Sequence, residues 1–118
     1  MSGLRSDLLA LTLAVLVLAT GAAGAETPRA IPQRVVSVNL CTDQLAMLLA
    51  APGQLVSVSH LAAEPQSSSM AAEAAAWPAN RGQAEQVFLL HPDLVLAGTY
   101  TQKATIDLLR KLGVEVLQ

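Results

Sequence analysis

The stretch NRGQAEQVFLLHPDLVLAG, residues 80–98, decides the fold of this chain. It begins with a glycine turn and continues as a short amphipathic helix, with apolar positions at Ala84, Val87 and Phe88. Pro92 ends this helix, because proline lacks a backbone donor and keeps the residue before it out of helical geometry. Residues 94–97 then form an apolar run, which is typical of a buried parallel strand. The stretch therefore predicts half of an α/β unit.

The segments on either side continue the α/β pattern. Further strands are predicted from β-branched and apolar runs at residues 35–38, 55–58 and 114–117. A helix is predicted between Thr42, as its N-cap, and Pro52. Its apolar positions, spaced i, i+3 and i+4, are Leu45, Leu48 and Leu49.

Two more helices complete the prediction. One is the alanine-rich segment at residues 70–77, and the other lies between Thr101, as its N-cap, and Gly113, as its left-handed end. The resulting order is β-α-β-α-α-β-α-β. This order predicts the α/β fold class, with a parallel sheet and helices on both faces.

The first 25 residues predict a secretory signal peptide. Arg5 precedes an apolar run at residues 8–19, and small residues at 23–25 predict cleavage before Glu26. A bilayer span needs about 20 apolar residues, so this run is short, and an uncleaved anchor is the alternative. Residues 26–33, with two prolines, predict a flexible arm, and residues 34–118 predict a partial α/β binding lobe.

Charge and cysteine content narrow the possible functions. The chain has seven basic and nine acidic residues and a net charge of −2. Nucleic acid binding needs clustered cations, but the only adjacent pair is Arg110 and Lys111, so no nucleic acid partner is expected.

Cys41 is the single cysteine and cannot form an internal disulfide. We expect it to be buried and inert, with a reactive exposed thiol as the alternative.

No catalytic or metal-binding motif stands out. His60 follows a predicted strand, but no cysteine or second histidine lies near enough in sequence to complete a metal site. GxSxG is missing, so the serines lack a nucleophile motif. GxGxxG and a phosphate loop are also missing, so no nucleotide is predicted, and no cofactor is expected. The remaining enzyme hypothesis is a secreted α/β hydrolase-like protein that uses Ser59 with His60, or His60 with Asp43.

Polar and aromatic residues instead gather where the predicted strands and helices end, at residues 39–42, 59–61, 80–83 and 99–101. The ring of Tyr100 can stack on a macrocycle, and the guanidinium of Arg81 can donate paired hydrogen bonds to a carboxylate or phosphate. Each side chain alone is also consistent with ordinary solvated surface. Together the four segments predict a binding rim.

These segments resemble a known family. RVVSVNLCTDQLAMLLA, LVSVSH, NRGQAEQVFLLHPDLVLAG and a helix ending KLGVEVL are similar to the N-terminal lobe of periplasmic substrate-binding proteins. That family serves ABC importers of cobalamin, ferric siderophores and heme. The resemblance covers residues 34–117, and its most specific part is the helix with Glu85 followed by Pro92, Asp93, Leu94 and Val95.

The resemblance implies two α/β lobes that are joined by one long helix and hold the ligand in a shallow cleft. The sequence ends inside the first lobe, so we expect a fragment. The resemblance also implies ligand-facing loops at Asn39, Leu40, His60, Arg81 and Tyr100. Glu85 resembles the acidic residue that docks onto arginines of the membrane permease. A carboxylate that stabilises the N-terminus of its own helix is the alternative.

The expected function is therefore capture rather than catalysis. The resemblance implies a periplasmic component of an ABC importer, with a metal chelate as ligand and the permease as partner. A chelate brings its own metal coordination, so no protein metal site is required. The alternatives are the secreted enzyme described above and an interaction module without a role in transport.

Overall fold

The computed structural model describes Gly24 and residues 27–118. The predicted signal peptide therefore lies almost entirely outside the described residues. Residues 31–118 form one unit; in the other unit, residues 1–30, the described positions are all exposed. No helix in the described part of the chain is long and apolar enough to cross a membrane.

Five parallel strands alternate with helices in residues 31–118. The strands are β1 (Val35–Ser37), β2 (Leu55–Ser59), β3 (Ala79–Asn80), β4 (Leu94–Leu96) and β5 (Glu115–Leu117). The α-helices are α1 (Leu40–Leu49), α2 (Ala71–Ala74), α3 (Ala84–Phe88) and α4 (Lys103–Lys111). A 3₁₀ turn at His60–Ala63 follows β2 directly.

The strands form one sheet in the order β3-β2-β1-β4-β5, with helices on both faces. One face packs against α3 and α4, and its buried apolar cluster includes Val36, Val87, Val95 and Leu109. The other face packs against α1 and α2, through a smaller cluster that includes Val35 and Ala46. These layers confirm the predicted fold class. We call them the α3/α4 face and the α1/α2 face.

Strand β3 is missing from the sequence-based prediction, which placed a glycine turn there. Two residues are too short for a periodic pattern, and the strand is defined by its pairing with β2, of Ala79 with Val58 and of Asn80 with Ser59. The side-chain amide nitrogen of the buried Asn80 adds hydrogen bonds to Ser37 O at 2.8 Å and to Val58 O at 2.9 Å. The preceding helix, predicted at residues 70–77, is correspondingly shorter, at Ala71–Ala74.

Both predicted threonine caps are wrong. Helix α1 begins at Leu40, and its N-cap is Asn39, whose Oδ1 accepts a hydrogen bond from Cys41 N at 3.0 Å. Asparagine caps a helix at least as well as threonine, and it occurs earlier here, so Thr42 lies inside the first turn. Thr101 Oγ1 accepts a hydrogen bond from Gly98 N, and α4 begins at Lys103 without a side-chain cap.

The predicted apolar face of α1 is not buried. Leu45, Leu48 and Leu49 are all more than half exposed, whereas the residues of α1 that face the sheet are Asp43 and Ala46. The helical spacing of the leucines therefore predicts the helix correctly but not its packing.

The turn that Pro92 was predicted to enforce is present between α3 and β4. His91 has a left-handed backbone, with φ of 51°, and the Arg34 side chain donates hydrogen bonds to the carbonyls of Leu90 and His91. Asp93 accepts hydrogen bonds from Gln33 N at 2.7 Å and Arg34 N at 2.9 Å. This clamp fixes the start of β4 beside β1.

Candidate ligand-binding site

The ends of the parallel strands bring the predicted site residues to one edge of the sheet, which we call the carboxyl edge. Along this edge Arg81 follows β3, His60 follows β2, Asn39 follows β1, and Tyr100 lies in the loop after β4. Leu40, the first residue of α1, lies beside Asn39. Ligands of open α/β sheets bind beyond such edges.

The carboxyl edge has a switch point between β1 and β4. From β1 the chain winds outward to β2 and β3, and it then returns to add β4 and β5 on the other side of β1. The loops after β1 and β4 diverge there, which leaves a crevice in folds of this kind. Asn39 and Gly98 lie in contact at this switch point.

Gly98 is required at the crevice for space. A Cβ atom at this position would lie only 2.6 Å from Cγ and Nδ2 of Asn39. The Asn39 side chain is thus held between Gly98 and the first turn of α1, which it caps. Sequence reasoning missed the role of Gly98, because nothing in the sequence links it to a residue 59 positions away.

His60 stands at the start of the 3₁₀ turn and is partly buried. Its Nδ1 atom is buried and has no hydrogen-bond partner among the described residues. Buried polar nitrogens without a partner are uncommon, because losing water without gaining a hydrogen bond costs free energy. The His60 ring is therefore available for an interaction that the described chain does not supply.

Tyr100 and Arg81 lie on the surface at opposite ends of the site. Tyr100 is 95% exposed, so its ring contributes almost nothing to the packing of the lobe. Arg81 is also exposed, and its backbone N–H donates to Gln86 Oε1 at 2.9 Å, which orders the loop after β3. Both side chains can meet a ligand without any rearrangement of the core.

A buried polar layer supports the carboxyl edge from below. Asp43, fully buried on α1, accepts hydrogen bonds from Ser59 N at 2.9 Å and from Ser59 Oγ at 2.5 Å. This pair fixes α1 against the end of β2, directly before His60. The sequence-based enzyme hypothesis paired Asp43 with His60, and the spacing of the sequence does not reveal Ser59 as its partner.

The same contact argues against the hydrolase-like hypothesis. A nucleophilic serine needs an accessible hydroxyl and an adjacent base that a third group orients. Ser59 is buried and donates its hydroxyl proton to the equally buried Asp43, and His60 Nδ1 is bonded to neither residue. The described residues thus contain the named side chains without the required geometry.

The prediction that Cys41 is buried is wrong, because the residue is exposed in the first turn of α1. Burial was inferred from the usual behaviour of a lone cysteine, whereas α1 turns this position away from the sheet.

In the described part of the chain, no group of three or more His, Cys, Asp or Glu residues is placed to hold a metal ion.

Glu85 is exposed in the first turn of α3, on the opposite sheet face from α1. Helix α3 starts four residues after β3 ends, so Glu85 lies close to the carboxyl edge. Neither of its two interpretations, permease docking or a helix-end charge, requires burial.

The fold and the carboxyl edge define an open α/β lobe with a crevice at its switch point. No protein-family model matches the sequence, and no curated protein matches it. Solved structures do match. The heme binding protein HmuT has a TM-score of 0.56 and 22% identity over 72% of this chain and 28% of that chain.

Two further matches have higher sequence identity. A periplasmic heme binding protein from Pseudomonas aeruginosa has a TM-score of 0.52 and 26% identity over 74% of this chain and 31% of that chain. The periplasmic vitamin B12 binding protein BtuF of Vibrio cholerae has a TM-score of 0.55 and 26% identity over 73% of this chain and 33% of that chain.

The chain therefore has the fold of the N-terminal part of periplasmic binding proteins, and the resemblance seen in the sequence is confirmed at the level of the fold. The matches named above are binding proteins and not enzymes. This chain spans about a third of the length of each of them.

Proposed function

We propose that this chain is a substrate-binding lobe for a metal chelate taken up by an ABC importer in the periplasm, with heme or a cobalamin as the first candidates. The observation that carries the proposal is the shared fold with periplasmic heme and vitamin B12 binding proteins. The lobe would contribute one wall of the binding cleft, formed by the carboxyl edge. Ferric siderophores are the third ligand class to be tested.

The chemistry of the carboxyl edge suits a large, flat or bulky chelate. The exposed ring of Tyr100 provides a surface for stacking, and the guanidinium of Arg81 can pair with a carboxylate or phosphate on the ligand. His60 lies between them along the edge and has an unpartnered ring nitrogen. None of these groups would have to act as an acid, base or nucleophile.

The test is a titration of the purified chain with three chelates: hemin, cyanocobalamin and a ferric hydroxamate siderophore. We expect one of them to raise the melting temperature in a saturable way, because a ligand that binds the folded state stabilises it. Hemin binding would also shift the visible absorption band of the free porphyrin. If none of the three chelates changes the melting temperature or the absorption, the proposal is wrong.

Exposed side chains allow matched control variants. Tyr100→Ala and Arg81→Ala should each weaken binding by about 5- to 30-fold, the effect of losing 1 to 2 kcal/mol of contact energy. Lys111→Ala is the control, because Lys111 is an exposed cation in the last turn of α4, away from the carboxyl edge. Equal effects of all three substitutions would argue against a ligand site at this edge.

We further propose that Glu85 docks onto basic residues of the permease. In a transport assay, Glu85→Lys should reduce uptake while leaving the affinity for the chelate unchanged, because the substitution reverses the charge of a docking contact. Glu73→Lys, an equally exposed glutamate on α2, is the control. Loss of ligand affinity in Glu85→Lys, or unchanged uptake, would contradict this role.

A further inference from the structure

Strand β5 forms one edge of the sheet. Among the described residues it pairs only with β4, and the strand at the opposite edge, β3, has just two residues. An edge strand presents backbone N–H and C=O groups that have no partner within the sheet, and such groups can pair with a strand of another molecule. The outer side of β5 is therefore a surface to which another chain could add a strand.

Val116 is the residue of β5 whose backbone faces this outer side. The carbonyl of the next residue, Leu117, accepts a hydrogen bond from Ala97 N at 2.8 Å and so points toward β4. Consecutive backbone groups of a strand point to opposite sides, so the N–H and C=O of Val116 point away from β4. The side chain of Val116 is buried in the cluster of the α3/α4 face.

The side chain of Arg110 occupies the outer side of β5. From the last turn of α4, its Nη2 atom donates a hydrogen bond to Val116 O at 3.1 Å. Arg110 is exposed, so its guanidinium is not placed there by packing in the core. The same turn of α4 also provides Leu109 O, which accepts a hydrogen bond from Val114 N at 3.0 Å. The end of α4 thus takes up backbone groups that an added strand would need.

Two copies of β5 would fit each other around Val116. In an antiparallel pair, two residues that lie opposite each other can exchange both of their N–H···O=C bonds. A two-fold axis at the middle of β5 would place Val116 opposite Val116 of a second copy. Glu115 would then lie opposite Leu117 of that copy. This pairing needs the carbonyl that Arg110 already occupies.

We infer that Arg110 closes the outer edge of β5 against pairing with a second copy of this chain. One arginine on each copy blocks both hydrogen bonds at the centre of the symmetric pair. The pairing would also bring two guanidinium groups together across the axis, and adjacent like charges disfavour an interface. This inference is independent of the ligand and of the proposed transport role.

The test is sedimentation velocity of the purified chain, which measures the dimer dissociation constant. Arg110→Ala should lower this constant by about 10-fold or more, because the Val116 carbonyls become available and the two cations are removed. Arg110→Met is the second variant, since it keeps most of the aliphatic stem and removes the donors. Lys111→Ala is the matched control, because it removes the same charge from the next exposed position of α4.

Substitutions at Leu117 identify the surface that associates. In the Arg110→Ala background, Leu117→Glu would place a carboxylate opposite Glu115 of the second copy and should restore the monomer. Leu117→Lys would place a cation there and should retain the dimer. Both changes remove the same exposed leucine, so association through apolar contacts alone would be lost in both.

Dimerisation of both Arg110 variants, together with opposite effects of the two Leu117 substitutions, supports the inference. It is overturned if the folded Arg110 variants associate no more strongly than the native chain, if Lys111→Ala dimerises equally, or if the two Leu117 substitutions act alike. Melting curves and circular dichroism establish folding. If neither Arg110 variant folds, Arg110 serves the stability of the lobe instead, and the inference is wrong.

Discussion

At the scale of single residues, the crevice depends on the contact between Gly98 and Asn39. Gly98 does not adopt the left-handed conformation for which glycine is often required, in contrast to Gly113 with φ of 83°. Its role is to leave room for a polar side chain that caps α1. One missing Cβ atom thus couples the loop after β4 to the helix after β1.

We expect Gly98→Ala to destabilise the lobe by about 1 to 3 kcal/mol, the usual cost of overpacking, because the new Cβ displaces Asn39. Serine also caps helices but is smaller, so Asn39→Ser in the Gly98→Ala background should recover most of this loss. Urea unfolding of both single variants and the double variant measures the coupling. Strictly additive effects would show that the two residues do not compete for the same space.

At the scale of elements, the connection between α3 and β4 is secured by charge. The backbone N–H of Gln33 donates to Asp93 and is the main reason that the pKa of this carboxyl lies below its usual value, followed among the lowering contacts by the N–H of Arg34. Asp93 is exposed, so solvent weakens each contact. The clamp nevertheless joins Gln33, the residue before β1 and the start of β4.

We expect Asp93→Asn to lower the free energy of unfolding at pH 7 by about 1 kcal/mol. This is at the low end for hydrogen bonds to a charged group, because Asp93 is exposed and solvent screens its contacts. The folded pKa of Asp93 is lowered, so its contribution is complete above the unfolded pKa of about 3.9 and is lost as the pH falls through the folded pKa. Urea midpoints of the variant and the native chain should therefore converge below about pH 3.9. Glu73→Gln is the control, and a difference that persists at low pH would contradict the clamp.

At the scale of the whole molecule, the two sheet faces contribute unequally to stability. Leu109 is fully buried in the cluster of the α3/α4 face, whereas Leu49 on α1 is 80% exposed. The larger apolar cluster lies on the α3/α4 face. Most of the free energy of folding should accordingly come from that face.

Leu109→Ala should cost about 3 kcal/mol, the typical loss for a buried leucine truncated in a packed core. Leu49→Ala should change the stability of the isolated chain by less than about 0.5 kcal/mol, since the side chain is already in water. Thermal or urea unfolding measures both values under identical conditions. Equal costs would mean that the Leu49 side chain is covered in solution.

Much of the architecture could be predicted from local patterns. The end of α3 is predicted at Pro92 but lies four residues earlier, at Phe88. The left-handed Gly113 and the main parallel strands follow from backbone geometry and the lengths of apolar runs, which act within a few residues. The positions of the rim loops could be predicted as well, since parallel strands end at a common edge. The roles of the rim side chains toward a ligand remain predictions.

Other features could not be predicted, because they arise from contacts between distant residues. Strand β3 exists through its pairing with β2, which the Asn80 side chain reinforces by hydrogen bonds to β1 and β2. Ser59 provides two donors for the carboxylate of the buried Asp43. The exposure of Cys41 depends on the direction in which α1 packs. Spacing along the chain carries no information about these partners.

The sequence by itself determined the α/β class, the succession of strands and helices apart from β3, and the edge at which polar loops collect, because these follow from short-range periodicity and turn chemistry. Only the tertiary structure decided which helix surfaces are covered. The leucines of α1 have the spacing of a core face, yet all three are more than half exposed. Burial depends on which element packs opposite a side chain, and strand order and the handedness of the crossovers set that for the whole sheet.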